Sequence, residues 1–195
     1  MNVLSSIDDY YNEMFKLIDN IPDRIFISTF GIYAGIPETG YADIPKTREI
    51  LDRIQSNNIK TSILVGYSDY FSCNGRSSIC TSCEIKYIKS MMRLMQHVNH
   101  YTQFSWKMTT KLHLKCNIFI KGSVIKCITG GRNFTNSDWC DVSLLIDNSI
   151  DNTKILQQYI NGNSKATMIN EQNILTVLEE QGISKKSFAA TMDGI

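Results

Sequence analysis

His113 and Lys115 are the residues whose types and spacing best suit chemistry in this chain. Two positions apart on a strand, they project from one face while Leu112 and Leu114 point the other way, which sets an imidazole beside an ammonium. A hairpin is predicted next. Cys116 to Ile120 is apolar apart from Asn117, Lys121-Gly122-Ser123 is a turn signal, and Val124 to Thr129 is a second run rich in β-branched residues. Gly130-Gly131 then lets backbone approach a ligand closely, and the Asn133 amide can donate to an anionic oxygen. These groups can converge on one phosphate.

The chemistry that fits is attack on phosphorus by a neutral histidine, whose ordinary pKa of about 6.5 leaves much of it uncharged near neutrality. No metal or other cofactor is required for that step. Lys115, Asn133 and the amides of Gly130 and Gly131 would offset charge building on the non-bridging oxygens. The surroundings suit an anionic substrate: from Tyr101 to Thr135 there are Lys107, Lys111, Lys115, Lys121, Lys126 and Arg132 but no Asp or Glu, in a chain of net charge +1. Lys111, Arg132 and Thr135 are expected to contact the substrate. Tyr101, Phe104 and Trp106 precede the basic run and fit two readings, base stacking or the buried face of a strand.

His113-x-Lys115 with Gly130-Gly131-x-Asn133 resembles the phospholipase D superfamily, whose signature is His-x-Lys, an Asp, then Gly-Ser-x-Asn. Here Ile120 stands at the Asp position, Gly131 at the Ser position, and the spacing to the glycines is somewhat longer than usual. The resemblance implies a mixed α/β sheet flanked by helices, a phosphohistidine intermediate, and a role for Asp141, ahead of the strand-like run 142–146, in orienting the histidine. Only one such motif is present. The family places two motifs face to face, so the resemblance implies a homodimer that brings two copies of His113, Lys115 and Asn133 together across a twofold axis.

The expected function is therefore metal-independent cleavage of phosphodiester bonds in nucleic acid, with DNA endonuclease as the leading form. Alternatives are a phosphodiesterase for a lipid or small molecule, and an inactive nucleic-acid-binding or inhibitory module of the same fold. Basic charge with neighbouring aromatics favours a polyanionic chain, and no basic amphipathic helix points to a membrane surface.

The rest of the chain supplies elements that could position these groups. The sequence has 195 residues, 43% hydrophobic and 20% charged, as an ordinary globular domain does. No apolar run reaches the roughly 18 residues of a membrane span, and the first residues lack a basic leader, so a cytoplasmic location is expected. A first helix is predicted after Ser5 or Ser6, with Ile7, Tyr11, Met14, Phe15 and Ile18 on its apolar face, ending near Asn20. Arg24 to Tyr33 reads as a strand, Pro45 opens a helix with Ile50, Leu51 and Ile54 as its stripe, and Lys60 to Tyr67 reads as the next strand. Strand, helix and strand of these lengths predict a parallel pair. After the hairpin, Trp139 to Asp147 is a predicted strand, Asp151 to Tyr159 a helix, and Ile169 to Gln181 a last helix. The phosphodiesterase domain is expected to span residues 1–183, leaving 184–195 as a flexible tail.

Residues 68–100 are an insert and helix with their own chemistry. Cys80-x2-Cys83, Cys73 and His97 form a candidate ligand set for a structural zinc, which a zinc-dependent binding module would require. The competing reading is a set of reduced thiols beside a helix whose Met91, Met92 and Met95 pack in the core. Cys116 and Cys127 flank the hairpin and can face each other as small apolar groups.

Overall fold

The computed structural model describes residues 1–29, 45–66, 81–98, 102–109, 114–131, 142–147, 149–170 and 172–180. Its centre is an eight-stranded mixed sheet in the order β1-β7-β6-β5-β2-β3-β4-β8. The strands are β1 (Asn2–Leu4), β2 (Arg24–Thr29), β3 (Lys60–Gly66), β4 (Phe104–Thr109), β5 (Cys116–Lys121), β6 (Val124–Gly130), β7 (Ser143–Ile146) and β8 (Thr167–Met168). Helices α1 (Ile7–Asp19), α2 (Pro45–Ser56), α3 (Thr81–Val98), α4 (Ser149–Ser164) and α5 (Ile174–Glu180) complete the described elements. The α/β class expected from the sequence is the observed one.

Local chemistry sets the element ends. Ser6 caps α1: its hydroxyl accepts the Asp9 N–H at 3.0 Å while the Asp9 carboxylate accepts the Ser6 N–H at 3.1 Å. Those bonds favour the ionised form, so the Asp9 pKa lies below its ordinary value. Asn20 closes the helix, and Ile21 follows at φ +52°. In α2, Ile50, Leu51 and Ile54 are buried as their spacing predicts. The last helix starts later than its apolar pattern suggests, because the Asn170 side chain accepts the N–H groups of Gln172 and Asn173 and so caps α5. Conversely, α4 runs on through Asn161-Gly162-Asn163 to Ser164, where a stop is predicted.

The two faces of the sheet carry separate cores. Alternate residues Ile25, Ile27, Ile63, Val65, Trp106, Met108, Phe119 and Ile128 pack with α1, α2, α3 and α5. The opposite face places Leu64, Cys116, Ile118 and Cys127 against Tyr159, Ile155 and Leu156 of α4. Trp106 is buried in the larger core, as are Met91 and Met95, so these residues pack rather than stack on a ligand. Tyr101 lies outside the described residues.

β2, β3 and β4 run parallel, in accord with the expected strand–helix–strand unit. β5 turns back antiparallel beside β2, and the hairpin and β7 continue antiparallel. As a result Thr29, Gly66 and Thr109 at strand ends, Lys115 just before β5, Gly130 closing β6 and Val142 just before β7 all lie at one edge of the sheet. In sheets of this kind that carboxyl edge is where ligands bind.

Candidate active site

The edge is assembled around the entry to β5. Cys116 is the first residue of the strand, opposite Ser28 of β2 on one side and Thr129 of β6 on the other. The Ser28 hydroxyl donates to the Leu114 carbonyl at 2.8 Å, and the Thr129 hydroxyl donates to the Lys115 carbonyl at 3.0 Å. The Gly130 N–H also reaches the Lys115 carbonyl, at 3.4 Å. Lys115 itself is half-buried, and its side chain has no bonded partner among the described residues.

The glycine pair brings the two motif segments together. Gly131 N–H donates to the Val142 carbonyl at 3.2 Å, so the chain leaves β6 and returns to β7 at one point. A Cβ on Gly130 would lie 2.3 Å from the Val142 oxygen and 2.7 Å from the Ser143 Cα, so only glycine lets these backbones approach. Both amides are thus engaged by neighbouring backbone. The expectation that they neutralise a phosphate is replaced by a role in strand approach.

Other expected site residues are distributed as follows. Lys111 and His113 fall between Thr109 and Leu114 in sequence, and Arg132, Asn133, Thr135 and Asp141 fall between Gly131 and Val142. All six lie outside the described residues; of the described ends flanking both segments, Leu114, Gly131 and Val142 sit at the carboxyl edge beside Lys115, and Thr109 sits at the same edge three strands away on β4. Ile120, at the position of the family's Asp, packs with the α4 face. It lies five residues along β5 from Lys115, roughly 17 Å at ~3.3 Å per residue, and cannot reach a group held at the edge.

Asn117 supports the strand from below. Buried one alternation step along from Lys115, it donates through Nδ2 to the Tyr10 hydroxyl of α1 at 2.8 Å, while its Oδ1 is buried without a partner. Cys116 and Cys127 face each other as expected and are free thiols. Its hydrogen bond with Cys127, together with burial, holds the proton on the Cys116 thiol and pushes its pKa well above the ordinary value. Burial and the neighbouring Cys116 raise the Tyr159 hydroxyl as well, and it lies 3.2 Å from the Ser62 carbonyl. These groups are inert packing, not nucleophiles.

The zinc set of Cys73, Cys80, Cys83 and His97 does not close. α3 is continuous from Thr81 to Val98 and contains both Cys83 and His97. Fourteen residues of helix hold them about 21 Å apart along the axis, so one ion cannot take both. His97 Nε2 instead lies 2.5 Å from Asp52 Oδ1 on α2. Cys73, Cys80 and His100 lie outside the described residues, as does residue segment 181–195 with its expected tail. No group of three metal-ligating side chains occurs among the described residues.

An eight-stranded mixed sheet with helices on both faces is the fold this chain shares with a solved phospholipase D family member. Three solved structures illustrate the likeness. Nuc from Salmonella typhimurium, described as a phospholipase D family member, superposes with TM-score 0.58 at 15% identity, covering 87% of this chain and 97% of that one. Phosphatidylserine synthase from Haemophilus influenzae gives 0.59 at 13% identity, over 97% of this chain and 46% of that one. TrmBL2, an archaeal chromatin protein described as showing a novel mode of DNA binding, gives 0.52 at 10% identity, over 86% and 54%. No family model matches the sequence, and no curated protein matches it.

Proposed function

We infer that the protein is a metal-independent phosphodiesterase of the phospholipase D type that cleaves nucleic acid, DNA first among them. The observation that carries this reading is the meeting of Lys115, Gly130, Gly131 and Val142 at the carboxyl edge: Gly130 N–H on the Lys115 carbonyl, Gly131 N–H on the Val142 carbonyl. That contact brings Leu114, which follows the segment holding His113, together with Gly131 and Val142, which flank the segment holding Asn133 and Asp141. The position of Ile120 far along β5 supports reading that departure from the family signature as lying away from the chemistry.

In this mechanism a ring nitrogen of neutral His113 attacks phosphorus and the bond to the leaving oxygen breaks. His113 of the partner subunit, protonated, gives that oxygen its proton. The same imidazole, now neutral, takes a proton from water as the water's oxygen attacks phosphorus and releases the histidine. Lys115 and Asn133 offset charge on the non-bridging oxygens, and Asp141 orients the attacking ring. A homodimer supplies the second histidine. The chain matches nearly the whole of Nuc but 46% of the synthase, whose length leaves room for a second unit of similar size. A strictly monomeric mass in light scattering at micromolar concentration would rule the shared site out. Free thiols at Cys116 and Cys127 suit a reducing, cytoplasmic setting.

The test is cleavage of plasmid and single-stranded DNA in excess EDTA by the wild type and by His113→Ala. Cutting that persists in chelator and vanishes in the variant supports the reading. A second reading, a non-catalytic DNA-binding module, draws on the likeness to TrmBL2. It predicts DNA binding that falls with salt and survives His113→Ala, with no cleavage by the wild type.

A further inference from the structure

We propose that Ser28 and Thr129 are positioning residues that clamp the entry to β5 from both sides and so hold the backbone of Lys115 in place. This rests on the functional reading above and adds to it two residues that do not touch the substrate.

β5 pairs with β2 as far as Ser28 opposite Cys116, and with β6 from Lys121 opposite Val124 to Cys116 opposite Thr129. Beyond Cys116, two successive carbonyls, Leu114 and Lys115, face opposite neighbours, as successive carbonyls of an extended chain do. Here the Ser28 hydroxyl takes Leu114 at 2.8 Å and the Thr129 hydroxyl takes Lys115 at 3.0 Å, the latter joined by Gly130 N–H at 3.4 Å. Both hydroxyls belong to residues directly opposite Cys116.

The arrangement adds one side-chain bond on each side of the strand entry, beside the backbone bond from Gly130. The peptide units before and after Lys115 are therefore fixed. A catalytic lysine at the sheet edge needs a Cα that cannot drift. Small displacements matter, since misplacement by about 1 Å can cost roughly a hundredfold in rate. Ser28 is buried, and nothing in a strand of Arg-Ile-Phe-Ile-Ser-Thr otherwise calls for a hydroxyl at that place.

The experiment compares wild type, Ser28→Ala, Thr129→Val and Thr129→Ser. Thr129→Val keeps shape and removes only the donor, and Thr129→Ser restores it. Expected are a kcat about tenfold or more lower in Ser28→Ala and Thr129→Val, with KM changed less than about twofold, and recovery in Thr129→Ser. Hydrogen exchange should speed up at the amides of Lys115 and Cys116 but not at Ile118 to Ile120. Wild-type kcat in Thr129→Val, or unchanged exchange at the strand entry, overturns the clamp. If Ser28→Ala does not fold, Thr129→Val and Thr129→Ser decide alone. If the wild type cuts no phosphodiester, the functional reading fails, and the exchange data still decide whether the hydroxyls hold the strand entry.

Discussion

The Gly130 backbone lies so close to the Val142 carbonyl that a methyl group on Gly130 would meet that oxygen at 2.3 Å. Gly131 N–H completes the same junction on Val142 at 3.2 Å. The glycine pair is thus a hinge point of the sheet edge, and its chemistry is that of close packing between β6 and β7.

Gly130→Ala should accordingly cost about 3 kcal/mol, because the clash is with backbone that cannot rotate away. Gly122 is the matched control. It sits at φ +56° with nothing near its would-be Cβ, so Gly122→Ala should cost about 1 kcal/mol from the left-handed conformation alone. Urea denaturation of the two variants checks the order, and equal losses would show that the junction is soft.

Lys115→Met should separate chemistry from folding. Lys115 is tied to the sheet through its carbonyl, which the substitution keeps. Stability should stay close to wild type, while kcat for phosphodiester cleavage falls by about 10²- to 10³-fold, as expected for removal of a group that stabilises transition-state charge. Undiminished turnover would remove Lys115 from the active site.

Asn117 and Tyr10 link the strand carrying the motif to α1 through one buried bond of 2.8 Å. Asn117→Ala should destabilise the protein by about 1 to 3 kcal/mol. In a double-mutant cycle with Tyr10→Phe, the coupling should be about 0.5 to 1.5 kcal/mol. Strict additivity of the two changes would mean that the bond contributes nothing.

Alkaline pH should destabilise the fold through Cys116 and Tyr159. Both have folded pKa values raised above their ordinary 9.0 and 10.0. The folded state keeps these protons where the unfolded chain releases them. Stability is therefore whole below about pH 8.5 and declines above it, by up to about 1.4 kcal/mol per pH unit for each group. Cys116→Ala and Tyr159→Phe should flatten the decline in denaturation series between pH 8 and 11. In the native protein at neutral pH, peptides containing Cys116 and Cys127 should remain unlabelled by iodoacetamide. Rapid labelling there would contradict the buried, protonated state.

Much of the fold was legible in local patterns. The α1 cap at Ser6, the α2 stripe of Ile50, Leu51 and Ile54, the parallel pair of β2 and β3, and the hairpin turning at Gly122 each follow from short-range rules on spacing and turn residues. The His-x-Lys and Gly-Gly-x-Asn motifs stood out because their residue types and order are read along the chain. What the sequence could not supply depended on partners distant in the chain. β1 is three residues long and exists only because β7 offers it an edge; β8 is likewise built on β4. The end of α4 overruns its glycine because burial of Tyr159 against β5 and β6 holds the helix in place. Ser28 and Thr129 look like ordinary strand hydroxyls until three strands are laid side by side. The chain by itself determined which groups could do chemistry. The tertiary structure decided where they face, because register between strands is set by long-range pairing and by the small set of side chains that fit between them.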